Sequence, residues 1–281
     1  KKGLPTRIEY SMPELPEVET TRLGLSPRLL NRKILALTVR NSRLRWPVPP
    51  DLASHLTGKT LTGLARRGKY LLFDFGSGTQ IVHLGMSGSL RFAESCETYD
   101  THDHIEWAFD DGVLLRMRDP RRFGAVLWAP DPLLHPLLAT LGPEPLSEAF
   151  DAPYLFAQCR KRSAAIKQVI MDSHVVVGVG NIYASESLFH AGIRPGTAAQ
   201  KLTRPACARL VAAIQRVLTA AIAAGGSSLR DYVQTSGELG YFQLHTQVYN
   251  RAGLPCRHCG SPIRRIVQGQ RAGFYCPRCQ R

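Results

Sequence analysis

Four cysteines near the end of the chain, Cys256, Cys259, Cys276 and Cys279, form a C-x2-C-x16-C-x2-C array. Two CxxC pairs on tight turns can present four thiolates to one tetrahedral Zn2+. Gly260 follows the first pair, Pro277 lies inside the second, and the segment between them has room for a short hairpin. Two disulfides would need an oxidising compartment, and the basic start KKGLPTRIEYS lacks the apolar middle of an export signal. An iron–sulfur cluster is the less common occupant at this spacing. With four protein ligands a zinc ion keeps no open position, so its expected role is to hold a fold. Cys96, Cys159 and Cys207 have no partner spacing and read as ordinary buried or surface residues.

Charge points to a partner. The 281 residues carry 36 Lys and Arg against 22 Asp and Glu, a formal net of +14. Residues 1–150 are nearly balanced at +2, whereas residues 151–281 hold 17 basic and 5 acidic residues, a net of +12. Of the cations 28 are Arg, whose planar fork suits phosphates and base edges. Nucleic acid is the natural partner, and the second half should supply most of the grip. Arg264, Arg265 and Arg271 lie inside the cysteine array, and Arg257 and Arg278 flank its ligands. The hydrophobic content of 44% excludes a disordered chain, a collagen-like repeat and a small disulfide scaffold. No uninterrupted apolar run reaches the ~18 residues of a membrane helix, so a soluble protein is expected.

These groups must be positioned by the remaining chain. Residues 16–30 open with Pro and Glu and read as a short N-terminal helix. From Ile34 to about Trp128 come short β-branched and aromatic runs (ILALTVR, KYLLFDF, TQIVHL, SLRF, IEWAF, VLLRM, AVLWA) separated by GSG, GMSG and DDG. That spacing predicts an antiparallel sandwich or barrel. Six prolines from Pro130 to Pro153 mark a linker. Helical periodicity follows over Tyr154–Arg160, Ala164–Met171, Asn181–Ala191 and Thr203–Ala224. The last helix has Thr203 as N-cap, Pro205 in its first turn and Gly225-Gly226 as its stop.

The motifs then match a family. MPELPEVET (12–20), RRGKYLL (66–72), HLGMSGSLR (83–91), DPRRFG (119–124), GVGNIYASESLF (178–189), GYFQ (240–243) and the terminal cysteine array occur in one order along the chain. Together they resemble the bacterial formamidopyrimidine-DNA glycosylases, with the LPEVET continuation favouring that branch over endonuclease VIII. The resemblance implies an α+β fold: an N-terminal antiparallel β-sandwich with flanking helices, then a helix–two-turn–helix domain with a C-terminal zinc-finger hairpin. The expected boundaries are 12–129, a linker at 130–150, 151–245 and 246–281.

The resemblance also implies a DNA-repair enzyme that excises oxidised purines from duplex DNA and nicks the strand by β,δ-elimination. Reaching a base in a duplex requires flipping it out. An amine attacking C1′ displaces the base and becomes an iminium, an electron sink that permits elimination. The family's amine is an N-terminal proline, matching Pro13 after removal of Met12. Glu14 matches the acid, and Lys69 matches the lysine beside the damaged nucleotide. His83, Asn181 and Arg271 match residues that hold the lesion strand's phosphates, with Arg271 counted also among the catalytic set, and Lys167 is a further expected DNA contact. Met86, Arg121 and Phe123 match the trio that fills the gap left by the flipped base. Tyr241 belongs to the segment that reads that base. By periodicity alone Met86 and Phe123 would be core. The expected partner is double-stranded DNA containing an oxidised purine, bound by a monomer with one structural Zn2+ in the bacterial cytoplasm at the nucleoid.

One departure is chemical. Pro13 is preceded by twelve residues, so in the chain as written its nitrogen is an amide. The expectation is that residues 1–11 are a tag or an over-extended start, with Met12 as the true initiator. If Pro13 stays blocked, the alternatives are a damaged-DNA-binding protein without catalysis, or Lys69 as a substitute nucleophile.

The charge asymmetry generates a first prediction. Affinity for undamaged duplex should fall steeply as salt rises, because bound phosphates release counterions. Arg271→Ala should flatten the log–log salt slope by about one unit. A titration from low to physiological salt checks this, and an unchanged slope places Arg271 away from the backbone.

Overall fold

The computed structural model describes residues 12–226 and 246–281. Helix α1 (Leu15–Leu29) starts the described chain and buries Leu15, Val18, Leu25 and Leu29. It is followed by β1 (Ile34–Val39), α2 (Leu52–Leu56), β2 (Gly63–Arg67), β3 (Tyr70–Asp74) and β4 (Thr79–His83). Then come β5 (Ser89–Ala93), β6 (Asp103–Phe109), β7 (Leu114–Arg118) and β8 (Ala125–Ala129). Two four-stranded antiparallel sheets result, in the orders β1-β6-β7-β5 and β2-β3-β4-β8. Leu71 and Phe73 from one sheet and Ile105, Trp107, Leu115 and Met117 from the other share a single core with α1 and α2. The expected sandwich is present. Alternation along the strands puts one face of each sheet into that core, as a period of two requires.

Two elements of this region lie outside the sequence reading. Helix α2 is a single turn, and β2 carries the polar pattern GLARR, whose arginines are half-buried through ion pairs and not through apolar packing.

The proline-rich stretch contains a 3-10 turn at Pro132–Leu134 and α3 (Pro136–Ala139). Asp131 and His135 accept hydrogen bonds from Leu133 N and Leu137 N, and a proline sits in each first turn. Proline there sacrifices a donor that has no helical partner in any case. Beyond lie α4 (Ala152–Arg160), α5 (Ile166–Ile170), α6 (Asn181–Ala191) and α7 (Arg204–Ala223). Helix α5 is shorter than its periodicity suggests because Ala165 adopts extended backbone and bridges to Ala198. Helix α7 keeps its expected ends: Thr203 Oγ1 accepts from Ala206 N at 3.3 Å, and Gly225 and Gly226 take left-handed φ of 76° and 81°. By length and composition α7 could cross a membrane. Here its apolar stripe, Leu210, Ile214, Val217, Leu218 and Ala221, is buried against the neighbouring helices.

The hairpin of β9 (Arg264–Gln268) and β10 (Arg271–Tyr275) ends the chain. Its Ile263, Ala272, Phe274 and Cys276 join the same core as α4–α7. The finger is therefore continuous with the helical domain.

Candidate active site and nucleic-acid interface

Helix α1 meets α6 end to end, and the joint is a carboxylate. Glu14, the N-cap of α1, is 2% exposed. Its oxygens accept from the backbone N–H groups of Gly180, Ile182 and Tyr183 at 2.7, 2.9 and 3.4 Å. These are the unpaired donors at the start of α6, where the helix dipole also favours negative charge. Glu17 completes the joint. It accepts from Glu14 N at 2.9 Å and from the Tyr183 hydroxyl at 2.6 Å. The GVG sequence makes room for it. A Cβ on Gly180 would lie 2.2 Å from the Glu14 carboxyl carbon, and one on Gly178, at φ 82°, would lie 2.6 Å from Leu15.

Burial lifts the Glu14 carboxyl from the usual range to about 7, reinforced by Glu17. The Lys69 charge and the N–H donors pull the other way without cancelling it. Glu14 is thus a carboxyl able to hold or release a proton near neutrality. That is what a general acid needs. Lys69 is shifted in the complementary sense. Withdrawal from water holds its ammonium below lysine's usual range, against the pull of Glu14 and with the help of Arg271.

Lys69, Tyr70, His83, Met171 and Arg271 line a cavity of about 190 Å³ whose wall also includes Met12. Pro13 is buried next to it. Burial, with the charges of Lys69 and Arg45, drives the His83 imidazolium down to about 4. His83 is neutral at physiological pH. Its Nδ1 accepts from Gly85 N at 3.1 Å, which leaves Nε2 as the protonated nitrogen and a donor.

Asn181 stands at the first position of α6 and is half-buried. Its Oδ1 accepts from Lys167 Nζ at 2.6 Å, so the amide N–H groups remain as its donors. Lys167 itself departs from the expectation of a DNA contact. It is 2% exposed, and its ammonium also donates to the Ala272 carbonyl at 3.0 Å. A lysine enclosed this way is held by protein groups; it orients Asn181 and pins the finger.

Met86 and Phe123 sit on two loops pressed backbone to backbone. A Cβ on Gly85 would lie 2.4 Å from the Phe123 carbonyl carbon, and one on Gly124 would lie 2.8 Å from the His83 carbonyl oxygen. Buried Asp119 clamps both loops, accepting from Ser87 Oγ at 2.7 Å and Gly124 N at 2.8 Å. Ser87 Oγ in turn accepts from Arg121 N. The clamp leaves Phe123 39% exposed, with the Arg121 guanidinium 4.7 Å from its ring centroid. Core packing is therefore excluded for Phe123, and Met86 is only half-buried. An exposed apolar ring beside a guanidinium, as at Phe123, suits insertion between bases.

The four cysteine sulfurs lie within 4.8 Å of one another. Cys256–Cys279 and Cys259–Cys276 are separated by 3.9 and 3.4 Å, against about 3.8 Å for the edge of a tetrahedron with zinc–sulfur bonds of ~2.3 Å. The donor set fits one Zn2+. His258 N and Cys279 N donate to Cys256 Sγ and Cys276 Sγ, as knuckle turns do. Gln280 bridges the finger to the helices, its Oε1 accepting from Cys276 N and its Nε2 donating to the Ile193 carbonyl, both at 2.8 Å.

Several organising residues were not singled out from sequence: Glu17, Tyr183, Ser87, Asp119 and Glu186. Buried Glu186 accepts from the N–H groups of Gln247, Val248 and Tyr249 and anchors the entry to the finger. Only proximity to the motifs could have suggested them. Tyr241 lies outside the described residues. Cys159 and Cys207, unpaired by spacing, are buried side by side in the helical core.

Comparison with known proteins follows the same division. Residues 12–126 match the family profile of the formamidopyrimidine-DNA glycosylase N-terminal domain, residues 141–233 its H2TH domain, and residues 253–281 the zinc finger found in FPG and IleRS. The formamidopyrimidine-DNA glycosylase of Thiobacillus denitrificans is 72% identical over 270 residues, covering 96% of this chain and all of that protein. The crystal structure of MutM (Fpg) from Thermus thermophilus superposes with a TM-score of 0.87 at 37% identity, covering 95% of this chain and 98% of the other. Lactococcus lactis Fpg in complex with abasic-site DNA gives 0.88 at 34% identity, covering 95% and 99%.

Two outcomes are expected. Cys276→Ser should lose the metal and with it duplex binding, measured by elemental analysis and a binding titration; wild-type protein without stoichiometric zinc would contradict the fit. Gly180→Ala should destabilise the fold by about 1–3 kcal/mol in thermal or denaturant unfolding, since a methyl group there must displace the buried Glu14 carboxylate.

Proposed function

The chain belongs to the formamidopyrimidine-DNA glycosylase family, bifunctional DNA glycosylases and AP lyases of base-excision repair, and on that premise we propose how its own residues divide the work. The partner is damaged double-stranded DNA, and the zinc is structural. The single observation that carries the assignment is the joint of Pro13 and Glu14 to α6. It sets an amine position beside a buried acid titrating near 7, at the edge of a cavity walled by Lys69, His83 and Arg271.

In this reading the Pro13 nitrogen, freed by removal of residues 1–12, attacks C1′ of the extruded nucleotide. The C1′–base bond breaks and the base departs with that electron pair, taking up the proton that the Pro13 nitrogen gives up on bonding. Glu14 gives its proton to the sugar oxygen as the ring opens, and the nitrogen lone pair completes an iminium. The carboxylate so formed can then accept the C2′ proton that the iminium acidifies, and the 3′ phosphate leaves. A second elimination releases the 5′ phosphate. Met12 lies in the cavity wall with Pro13 buried behind it, which supports its removal as the event that exposes the amine.

Lys69, His83, Asn181 and Arg271 hold phosphates of the lesion strand. A neutral Nε2–H donor and an amide avoid the desolvation cost that additional buried cations would carry. Met86, Arg121 and Phe123 fill the vacated stack, Arg121 facing the orphaned cytosine. Lys167 acts behind Asn181. Oxidised purines such as 8-oxoguanine and formamidopyrimidines are the lesions this reading assigns, and the enzyme works in the bacterial cytoplasm alongside the nucleoid. Structural units at 12–129, 151–245 and 246–281, joined through 130–150, fit that division of labour. A chain retaining residues 1–12 should bind lesions without cutting them, since an amide lone pair is delocalised into its carbonyl.

Borohydride should trap a covalent adduct between protein beginning at Pro13 and an 8-oxoguanine:cytosine duplex, and Pro13→Gly should weaken trapping sharply. The same chain with residues 1–12 retained should give none. Because Glu14 acts in its protonated form with a pKa raised to about 7, base release should decline as pH rises through about 7, with a separate acid limb where the attacking amine becomes protonated. Glu14→Gln should stop turnover while lesion binding persists. Trapping through Lys69 in the proteolysed adduct would overturn the role of Pro13.

A further inference from the structure

Lys69 occupies an exposed kind of position, the tip of the two-residue turn between β2 and β3 in which Arg67 pairs with Tyr70. Gly68, at φ 58°, takes the first central position, as a II′ hairpin turn uses. Such a tip is ordinarily among the looser parts of a sheet. Here it is clamped from the linker. Glu144 Oε1 accepts from Gly68 N at 2.6 Å and from Arg67 Nη1 at 3.0 Å, while Oε2 accepts from Arg66 Nη1 at 2.7 Å. The same Arg66 nitrogen donates to the Gly68 carbonyl at 2.9 Å, so both polar groups of the Gly68 backbone are taken. Arg67 Nη2 returns to the linker at the Leu141 and Gly142 carbonyls, at 2.9 and 2.6 Å.

The clamp reaches α1 as well. Arg66 Nε donates to Glu19 Oε2 at 2.9 Å, and Glu19 Oε1 accepts from Arg22 Nη2 at 2.6 Å. Glu19 lies on the helix that Glu14 caps. Ion pairs on open surface contribute little, but the side chains of Arg66, Glu19 and Glu144 are only 12%, 16% and 24% exposed. The Arg22 and Arg66 guanidiniums hold the Glu19 carboxyl below its ordinary range despite its burial. Every partner in this relay is fixed by two or more bonds, and at its centre is one linker carboxylate that no catalytic role has absorbed.

We propose that Glu144 is a positioning residue for Lys69: the linker carboxylate fixes the 67–70 turn, and through Arg66 and Glu19 sets the lysine's register against the helix that carries Pro13 and Glu14. The proposal rests on the reading of Lys69 as part of the reacting centre. Its consequence is that neutralising Glu144, which leaves one amide oxygen for the three donors that two carboxylate oxygens shared, impairs chemistry at a distance, and that the loss is carried by Lys69.

The test uses full-length protein processed to a Pro13 terminus, and follows single-turnover release of 8-oxoguanine from a duplex. Glu144→Gln should slow release by about 10–100-fold, the scale of a small misplacement of a catalytic group. In a Lys69→Ala background the same substitution should change the rate by less than about twofold, because the group it positions is gone. The pH profile supplies a readout that a loss of stability would not move. Glu14 is faced by Lys69, by Glu17 and by the N–H groups of α6, and Lys69 is the charge that lowers its pKa. Glu144→Gln and Lys69→Ala should therefore each move the limb near pH 7 upward. Glu144→Asp retains the charge but is too short to keep both the arginines and Gly68 N, and should shift rate and limb in the same direction should the glutamine variant fold poorly. A full loss of rate in the Lys69→Ala background, or an unmoved limb in the Glu144 variants, overturns the proposal. Wild-type rate and profile in Lys69→Ala alone would instead remove the reading of Lys69, and the proposal with it.

Discussion

A helix with four unpaired N–H groups at its start must find acceptors for them, and α6 finds Glu14 from a different part of the chain. That contact joins the β-sandwich side of the molecule to its helical side. It also places the backbone of Pro13 and the Glu14 carboxyl at the edge of the Lys69–His83–Arg271 cavity. A structural need and a chemical one are met by the same atoms. The cost is visible in the acid, which burial raises to about 7 in spite of the Ile182 and Gly180 N–H donors and a nearby lysine. Removing water from a carboxylate opposes its charge more strongly than these neighbours restore it.

The other loops obey a similar rule of close approach. Gly85, Gly124, Gly178 and Gly180 each stand where a methyl group would fall within 3 Å of another chain segment. Glycine at these points lets backbones touch, and the touching fixes the side chains between them. Phe123 is held outward for that reason, and His83 receives its N–H donor from Gly85 in the same turn as half-buried Met86. The finger is fixed by a different means. Its hairpin shares apolar residues with α4–α7, while Gln280 ties it to Ile193 just past α6 and Lys167 of α5 ties it at Ala272. Arg271 is thereby carried to the cavity on a strand whose far end is set by the cysteines.

Charge in the site is graded. Beside the Arg271 guanidinium, Lys69 is held below its usual range, His83 is neutral, and Glu14 is poised between forms. Crowded cations depress one another's protonation, so the site gains hydrogen-bond donors without stacking up charge that only a bound polyanion could neutralise. The partly buried ion-pair relay from Arg22 to Arg67 keeps its charges paired within the protein and away from that balance.

Much was legible in the residues alone. The spacing of Cys256, Cys259, Cys276 and Cys279 specified a tetrahedral site, because ligand geometry is set by the turns that carry each pair. Thr203, Pro205 and Gly225-Gly226 marked the limits of α7, because caps are local chemistry. Alternation located most strands, and the collinear motifs identified the family. The tertiary structure decided what local rules cannot reach. It turned Lys167 inward, since burial depends on what packs above a residue and not on its own type. It exposed Phe123, which periodicity assigns to a core, because a carboxylate from Asp119 holds its loop against another loop. It brought Glu14 to Gly180 and Glu144 to Gly68, pairs separated by 166 and 76 positions. Their energies come from excluding water at a junction, and no window of sequence contains that junction.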